Sequence, residues 1–437
     1  MAHGAALGTM LGALALGTAC GATPDDENTV VEVVNWWSSG GEKEALDALI
    51  AVHQRRHPEA SVVNAVHPDS AAARSRIDDR MLRLAPPDSY QANVGLDLLR
   101  WVLVNGVNDD ESKLRPLRPL PIAGVRDWSE VFPEAVTERL GVDGEVYGVP
   151  VNIHRINTLH YHRGVLADHG LEPPASLEEL YAVMDVIIAA NAERSADQQI
   201  IPLAVGGKDT WAVSALFFEN LLLATAGVEF FLSYFQGHER ADAQPMLDTL
   251  DEAKALWTRV RVGDPDVLER SWTEAVALVA SGDAAMTVMG DWTKGSLRAA
   301  GLEPGVDFGT VPFPGSAPAF VFTSDAFAAP KGAENAAAAQ AWLETVASAE
   351  GQAAFNPIKG SIPARTRDVD LDAYDALARQ TIEDFMAGPL APALSALTPS
   401  AWSDPMNQRL GEFVASDPLD VDLMRFTLTN YYDLLKE

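Results

Sequence analysis

The sequence predicts an α/β protein built as two lobes. The chain has 437 residues, which at roughly 100–200 residues per domain is enough for two or three domains. Short apolar segments typical of strands alternate with amphipathic segments typical of helices along its length. Because no long linker interrupts this alternation, we expect two lobes joined by several crossovers. Each would be a mostly parallel sheet flanked by helices, with the ligand cleft at the hinge between them.

The first half of the chain begins with a predicted βαβ unit. The strand at 30–34 (VVEVV) is nearly all apolar, as in a buried parallel sheet. A Gly-rich turn joins it to a helix whose apolar residues recur at helical spacing. Pro86 and Pro87 end the second helix, and Ser176 caps the third. The elements predicted here are strands at 30–34, 60–66 and 146–151 and helices at 42–56, 71–84 and 176–191.

The second half continues the alternation. The segment 211–226 is apolar nearly all round, which predicts a buried helix. The segment 319–328 is mostly apolar and predicts one strand, and the last third of the chain is mostly helical with proline breaks. The elements predicted here are strands at 201–205, 284–289 and 319–328 and helices at 211–226 and 334–348.

The segment 146–151 (VYGVPV) is typical of a strand at which the chain crosses between lobes. We therefore expect the first lobe to comprise residues 30–147 and 315–349, and the second lobe residues 148–314 and 350–437.

The charge of the chain excludes some partners. The net charge is −30, from 32 Lys and Arg against 62 Asp and Glu. Such an acidic surface repels phosphate backbones and anionic lipid, so we expect no nucleic-acid partner. The chain has one cysteine, so no internal disulfide can form and the fold depends on its core. We expect a monomer.

The N-terminus is typical of an export signal. Residues 1–19 contain no Asp, Glu, Lys or Arg and are too few for a transmembrane helix, which needs about 20 apolar residues. The sequence LGTAC at 16–20 resembles a bacterial lipobox, in which Cys20 becomes the lipidated first residue. Residues 20–29 would form the lipidated tether, and no other stretch is apolar enough to span a membrane. We expect an exported, lipid-anchored protein, periplasmic or at the cell surface.

Two adjacent tryptophans follow the first predicted strand. Side chains of neighbours in an extended chain point in opposite directions, so either Trp36 or Trp37 can pack while the other faces a cleft. Indole faces suit the flat apolar faces of sugars, and Glu42, at the start of the next helix, can accept hydrogen bonds from hydroxyls. The alternative is that both tryptophans belong to the core.

Amides and a further pair of tryptophans also lie near predicted strand ends. Gln91 and Asn93 are two positions apart in strand-like sequence, so both amides share one face, and amides both donate to and accept from hydroxyls. Trp292 follows the strand at 284–289, and Trp272 lies upstream on a helix. The alternatives are strand-end hydrogen bonding for the amides and helix packing for Trp272.

Asp325 and Lys359 complete the candidate set. Asp325 is a carboxylate in an apolar strand, where a charge is costly unless it is paired or functional. Lys359 lies in a loop rich in Pro and Gly and can donate to ligand oxygens or pair with Asp325.

Signals of catalysis are weak. His154, His160 and His162 lie close together, but no metalloprotease spacing is present. His160 and His162 share a strand face; surface positions are expected for both, and a metal bound by the pair is the alternative. No G-x-S-x-G nucleophile elbow occurs. We therefore expect no catalytic residue, metal or cofactor, although two carboxylates acting as a glycosidase pair stay an alternative.

Six segments together resemble the extracellular solute-binding proteins of bacterial ABC sugar importers. They are most similar to the glucose- and mannose-binding branch of the maltose-binding-protein-like family, occur in family order and span nearly the whole exported chain. The segments are 33–42 (VVNWWSSGGE), 86–91 (PPDSYQ), 151–155 (VNIHR), 282–286 (GDAAM), 290–292 (GDW) and 355–365 (FNPIKGSIPAR).

The resemblance implies a two-lobed, type II-like periplasmic-binding-protein fold that closes on a small sugar and presents it to permease subunits. Asn93 stands where the branch usually has His, and no His follows His238, so glucose itself is not implied; Ser395 is the polar side chain in the region of the second missing His. A polyol or glycerol phosphate is the alternative ligand. The residues that match positions expected to touch the sugar are Trp36, Trp37, Glu42, Gln91, Trp272, Trp292, Asp325 and Lys359.

Overall fold

The computed structural model describes residues 29–38, 40–103, 112–118, 128–195, 198–432 and 435. The predicted signal segment, Cys20 and the tether up to residue 28 lie outside the described residues. Most predicted strands are present within a residue or two of their expected bounds. In chain order the strands are β1 Val30–Asn35, β2 Ser61–Val66, β3 Ser89–Asn93, β4 Gly141–Val142, β5 Glu145–Val146, β6 Gly148–Pro150, β7 Asn152–Arg155, β8 Thr158–His162, β9 Ile201–Ala204, β10 Ala284–Val288, β11 Phe308–Pro312, β12 Phe320–Thr323, β13 Asp325–Ala328, β14 Ile362–Pro363 and β15 Leu390–Pro392.

Several helices begin at a residue whose side chain caps them. Ser176 accepts a hydrogen bond from the Glu179 amide as predicted, and Ser271 and Glu274 form a reciprocal capping box. The helices are α1 Gly40–Arg56, α2 Ser70–Leu82, α3 Leu96–Leu103, α4 Glu134–Thr137, α5 Arg163–Asp168, α6 Leu177–Asn191, α7 Thr210–Ala215, α8 Leu223–Phe235, α9 Gln244–Gly263, α10 Trp272–Ser281, α11 Thr293–Ala299, α12 Ala336–Ala347, α13 Ala349–Lys359, α14 Ala376–Ala387, α15 Leu394–Leu397, α16 Ser400–Ala415 and α17 Val421–Tyr432.

The first lobe is built on a five-stranded sheet in the order β2-β1-β3-β13-β6. β1 is parallel to both β2 and β3, whereas β13 is antiparallel to β3 and to β6. The prediction of a mostly parallel sheet is therefore wrong for this lobe. The strands that return from or lead to the other lobe, β13 and β6, add antiparallel pairs to the βαβ unit.

The second lobe is built on a four-stranded sheet in the order β11-β8-β10-β9. β9 and β10 are parallel, and β8 is antiparallel to β10 and β11, so this sheet is also mixed. A third sheet, in the order β14-β7-β12-β15, is formed by segments that join the lobes. This small crossover sheet holds the two larger sheets together.

Two of the three expected lobe boundaries, at 147/148 and 349/350, differ from the structure. β6, expected in the second lobe, pairs with β13 in the sheet of the first. Phe355 and Ile362, also expected in the second lobe, are buried in the same core as Trp37 and Trp342 of the first. The reason is that α13 packs against α1 and so belongs to the first lobe.

The predicted strand at 319–328 is two strands in two different sheets. β12 pairs with β7 and β15 in the crossover sheet, whereas β13 pairs with β3 and β6 in the first lobe. Ser324 lies between them, and its carbonyl accepts a hydrogen bond of 2.9 Å from the Val94 amide. Continuous apolar sequence does not reveal such a change of sheet, because both strands are buried.

The apolar segment predicted as a buried helix is the central helix of the second lobe. It spans Thr210–Phe235, with a π-helical stretch at Leu216–Leu222 between α7 and α8 and a kink at Gly227, whose φ of 77° and ψ of 169° are not helical. Its length and composition alone would allow it to cross a membrane, contrary to the expectation that no segment beyond the N-terminus is so apolar. Phe218 contacts Tyr234 and Trp402 within the lobe, so the helix packs as core.

Candidate functional site

One edge of the first sheet gathers several of the predicted site residues. β1 and β3 are parallel, so the segments that follow their ends lie at the same edge. β13 begins at that edge, because Asp325 is paired in register with Asn93. Trp36, which follows β1, and Gln91, which lies on β3, are linked at this edge by a hydrogen bond.

The facing edge of the second sheet carries the tryptophans predicted further along the chain. β9 and β10 are parallel and end at one edge, where the loop 289–292 places Asp291 and Trp292. The Asp291 amide donates to the Arg155 carbonyl at 2.9 Å, which ties this loop to β7 of the crossover sheet. The site thus lies where the two sheet edges approach β7.

Trp36 and Trp37 occupy different environments. Trp36 is half-buried; its amide donates to Gln91 Oε1 at 3.3 Å, and the Arg74 guanidinium lies 5.7 Å from its ring centroid. Trp37 is 1% exposed and packs against Phe327 and Phe355 at 5.8 and 4.9 Å between ring centroids. This placement favours the core interpretation for Trp37, and leaves Trp36 as the tryptophan of the pair able to present a face to a ligand.

Asp325 is buried and held by a fixed set of donors. Gln91 Nε2 donates to its Oδ1 at 2.9 Å, and Asn152 Nδ2 donates to its Oδ2 at 2.8 Å. Burial raises the pKa of Asp325, but the hydrogen bond and charge of His154, assisted by Lys359, bring that pKa down to about 2. Asp325 is therefore an ionised acceptor, and each carboxylate oxygen can accept more than one hydrogen bond.

His154 lies between carboxylates of both lobes. Its Nδ1 contacts Asp291 Oδ1, and its Nε2 lies 3.3 Å from Asp325 Oδ2. Burial and the charge of Lys359 lower the pKa of His154, but the charge of Asp291 and the hydrogen bonds to Asp291 and Asp325 outweigh them, so its pKa lies above the ordinary value. The His154 ring also meets the Trp292 ring edge to face, with centroids 5.2 Å apart.

Lys359 and Glu42 form an ion pair at the start of α1. Lys359 Nζ lies 2.6 Å from Glu42 Oε1, so the alternative that Lys359 pairs with Asp325 is wrong. Lys359 ends α13 and not a loop as expected, because Gly360 takes the left-handed conformation that caps the helix. Its ammonium lies 5.7 Å from the ring centroids of both Trp37 and Trp292, which brings side chains of both lobes together.

Trp272 and Asn93 lie at the margins of this cluster. Trp272 is half-buried at the start of α10, where its amide donates to Asp209 Oδ2 at 2.7 Å, and it packs beside the small core that supports α10. The backbone amide of Asn93 donates to Asp97 Oδ2 at 3.0 Å, and Asp97 also pairs with Arg74, the residue beside Trp36. None of the contacts that the structure gives links either side chain directly to Asp325.

The histidines expected at the surface differ from that expectation. His160 is fully buried, and its Nε2 contacts the Met289 carbonyl at 3.1 Å; burial is the main reason that its pKa falls to about 4. His162 is half-buried and caps α5 by accepting from the Val165 amide. Within the described part of the chain, no group of three or more His, Cys, Asp or Glu side chains is arranged to hold a metal ion.

Three residues of the cluster were not predicted as site residues: Asn152, His154 and Asp291. Asn152 and His154 lie on β7, and Asp291 lies in the loop after β10. The signal available in the sequence is the place of the motifs VNIHR and GDW among the six segments that resemble the family, and not the chemistry of any one residue. Their meeting depends on β7 passing between the lobes.

Comparison with known proteins places the chain in a family. Residues 100–379 match the sequence profile described as bacterial extracellular solute-binding protein, which is more than half of the 437 residues. The chain belongs to this family. It is accordingly an exported solute receptor of the ABC-transporter type, and not an enzyme.

Similar proteins cover this solute-binding protein almost end to end. It is 30% identical to an ABC transporter extracellular-binding protein of Pyrococcus horikoshii, over 88% of this chain and 84% of that one. It is 31% identical to a Brucella suis protein named "Probable sugar-binding periplasmic protein", over 87% of this chain and 85% of that one. The solved structure of the bacterial solute receptor AcbH superimposes with a TM-score of 0.77 at 17% identity, over 94% of this chain and 100% of that one, which shows the two-lobed fold.

Proposed function

We propose that this solute-binding protein captures a small sugar between the facing sheet edges and delivers it to the permease of an ABC transporter. The observation that carries the proposal is the buried Asp325, oriented by Gln91 and Asn152. It is linked through Gln91 to the Trp36 amide in the first lobe and through His154 to the Trp292 ring in the second. A sugar offers hydroxyls around its rim and apolar C–H groups on its faces. An oriented carboxylate and exposed indole faces match both features.

The names of relatives support a sugar as the ligand. The Brucella suis relative is named as sugar-binding, and the AcbH receptor is described as preferring β-D-galactopyranose. We propose a monosaccharide of the glucose or mannose type, with Trp36, Trp292 and Asp325 as its main contacts. Glu42, Gln91, Asn93, Trp272 and Lys359 are proposed to complete the site.

The proposal includes how the protein is held at the membrane. The motif LGTAC supports lipidation at Cys20, which would anchor a monomeric receptor to the outer face of the cytoplasmic membrane. A receptor tethered outside the membrane would need permease subunits to move the ligand across. Mass spectrometry of the membrane-extracted protein would reveal a diacylglycerol adduct on Cys20, and an unmodified thiol there would contradict the anchor.

Thermal unfolding against a ligand panel tests the proposed function. The exported domain would be melted with hexoses, pentoses, disaccharides, polyols and glycerol phosphate. A ligand that binds only the folded state at ~100-fold above its Kd adds about 2.7 kcal/mol to the free energy of unfolding, which raises Tm measurably. We expect one hexose to raise Tm and the variant Asp325→Asn to lose most of that rise. A rise with glycerol phosphate and with no sugar would contradict the proposal.

A further inference from the structure

We propose that His154 is a positioning residue of the binding site, that it works as the protonated imidazolium, and that its proton couples sugar affinity to pH. The inference rests on the proposed function, since affinity for a sugar is one of its two readouts. Its evidence is the arrangement of the groups around β7, and the second readout needs no ligand.

The position of His154 is unusual because its two ring nitrogens face two different lobes. Nδ1 contacts Asp291, which follows β10 in the second lobe. Nε2 lies 3.3 Å from Asp325 Oδ2 on β13 of the first lobe. His154 itself is 2% exposed and lies on β7 of the crossover sheet. A single ring therefore links carboxylates that the sequence separates widely.

The contacts of the ring depend on its protonation state. Ionised carboxylates only accept hydrogen bonds, so a ring that binds Asp291 and Asp325 together must carry a hydrogen on both nitrogens. Asn152 Nδ2 lies 2.9 Å from Nε2, and the amide orientation of Asn152 is set because its Oδ1 accepts from the Asp325 amide at 2.7 Å. Nε2 of the neutral ring can therefore accept a hydrogen bond from Asn152 Nδ2, whereas Nε2 of the protonated ring can donate one to Asp325 Oδ2.

The surrounding charges favour the protonated ring. The charged groups that face it are Asp291, Asp325 and Lys359, and Arg155 follows it on β7. Lys359 is paired with Glu42 at 2.6 Å, and Arg155 is paired with Asp384 at 2.6 Å. The imidazolium is therefore a cation in contact with both buried carboxylates, and removing its proton would leave them close together without that cation.

Loss of the proton would disturb contacts on both sides of the ligand. His154 supports Asp325, the proposed acceptor of the first lobe, and it touches the Trp292 ring, the proposed platform of the second lobe. A neutral ring accepts from Asn152 Nδ2 at Nε2 and no longer donates to Asp325 Oδ2. The carboxylate then keeps Gln91 and Asn152 as donors but loses its charged donor, which weakens the network that orients it.

The experiment combines ligand binding with direct observation of the ring. Affinity for the sugar found in the thermal panel would be measured by calorimetry from about pH 6 to about pH 9.5, across which histidine charge can be removed. For the wild type we expect Kd to rise about tenfold per pH unit once the pH exceeds the pKa of His154. The variant His154→Gln, whose amide cannot titrate, should bind more weakly at pH 6 and show no such rise.

A second histidine provides the control, and NMR provides the ligand-free readout. The variant His160→Gln should keep the wild-type pH profile, because His160 contacts the Met289 carbonyl and none of these carboxylates. In protein labelled with 13C-histidine, the signal absent from His154→Gln should report a protonated ring at neutral pH without ligand.

A neutral His154 ring at neutral pH overturns the inference whatever the ligand. A wild-type Kd that is constant across the alkaline range also overturns it. A protonated ring in a protein that binds no sugar would contradict the proposed function and, with it, the coupling of sugar affinity to pH. It would support only the inferred charge of the ring.

Discussion

Neighbouring residues with the same side chain have different roles at this site. Trp36 is half-buried beside Arg74, whereas Trp37 is 1% exposed within the core of the first lobe. We expect Trp36→Ala to weaken sugar binding by about tenfold or more with little change in Tm, since a stacking face is lost from the site. Calorimetry and thermal unfolding of the same sample would separate the two effects.

Trp37→Ala is the matched comparison. It should lower the free energy of unfolding by about 3–5 kcal/mol, because it leaves a cavity between Phe327 and Phe355. A variant that melts like the wild type but no longer binds would show instead that Trp37 contacts the ligand directly.

Glu219 gives the second lobe a pH-dependent stability. Burial within the central helix raises its pKa to about 7, although the hydrogen bond from the Leu394 amide acts in the opposite direction. The folded state then holds a proton that the unfolded state releases near its ordinary pKa. The contribution of this proton to the free energy of unfolding is present at low pH and is lost as the pH rises towards 7.

Glu219→Gln should abolish that loss. Its oxygen can still accept from the Leu394 amide, but it cannot ionise in the apolar core. Between about pH 4.5 and pH 7, we expect the variant to gain on the order of 3 kcal/mol relative to the wild type. Urea unfolding at several pH values measures this, and parallel stability curves for the two proteins would contradict it.

At the residue scale, the sequence located single side chains better than their partners. Trp36 and Gln91 are predicted from their places near strand ends, and Asp325 is predicted as a charge within an apolar strand; the three meet at one sheet edge. No local pattern marks His154 as a partner of Asp325, which is 171 positions away in the chain. Pairing of that kind depends on tertiary structure that local pattern does not encode.

At the scale of elements, three helices from the two lobes meet at glycines. A Cβ added to Gly41 of α1 would lie 2.7 Å from the backbone carbonyl carbon of Gly295 in α11. A Cβ on Gly295 would lie 2.7 Å from the carbonyl oxygen of Lys359 at the end of α13. Because the side chain of glycine is a single hydrogen, these positions allow α1, α11 and α13 to approach closely beside the Glu42–Lys359 pair.

Gly41→Ala should hold α1 and α11 apart and weaken ligand binding, because the obstacle is backbone that cannot rotate away. Gly164→Ala is the control, since its Cβ would meet only the His162 ring at 3.2 Å. Equal affinities for the two variants would show that this approach of the helices does not limit closure on the ligand.

Elements with periodic sequence were predicted well, and changes of partner were not. α6 and its Ser176 cap follow directly from local pattern. The split of 319–328 into β12 and β13, and the assignment of α13 to the first lobe, were missed. Both depend on which buried surface lies opposite, and an apolar sequence fits either surface equally well.

For the whole molecule, the two larger sheets joined through a small crossover sheet provide a hinge. A ligand that contacts both edges favours the closed arrangement by its differential affinity for that state. We expect small-angle X-ray scattering to give a smaller radius of gyration with the bound sugar than without it. The same sugar added to Asp325→Asn should leave the radius unchanged at equal concentration.

The most direct test of the account is a calorimetric titration of the exported domain with the hexose that raises its Tm. We predict saturable binding at one site per chain. The heat-capacity change should be negative, because the apolar faces of the sugar ring are removed from water when they stack on the indole rings. No saturable heat with any sugar, together with saturable binding of glycerol phosphate or a polyol, would contradict the assignment of this cleft to sugars.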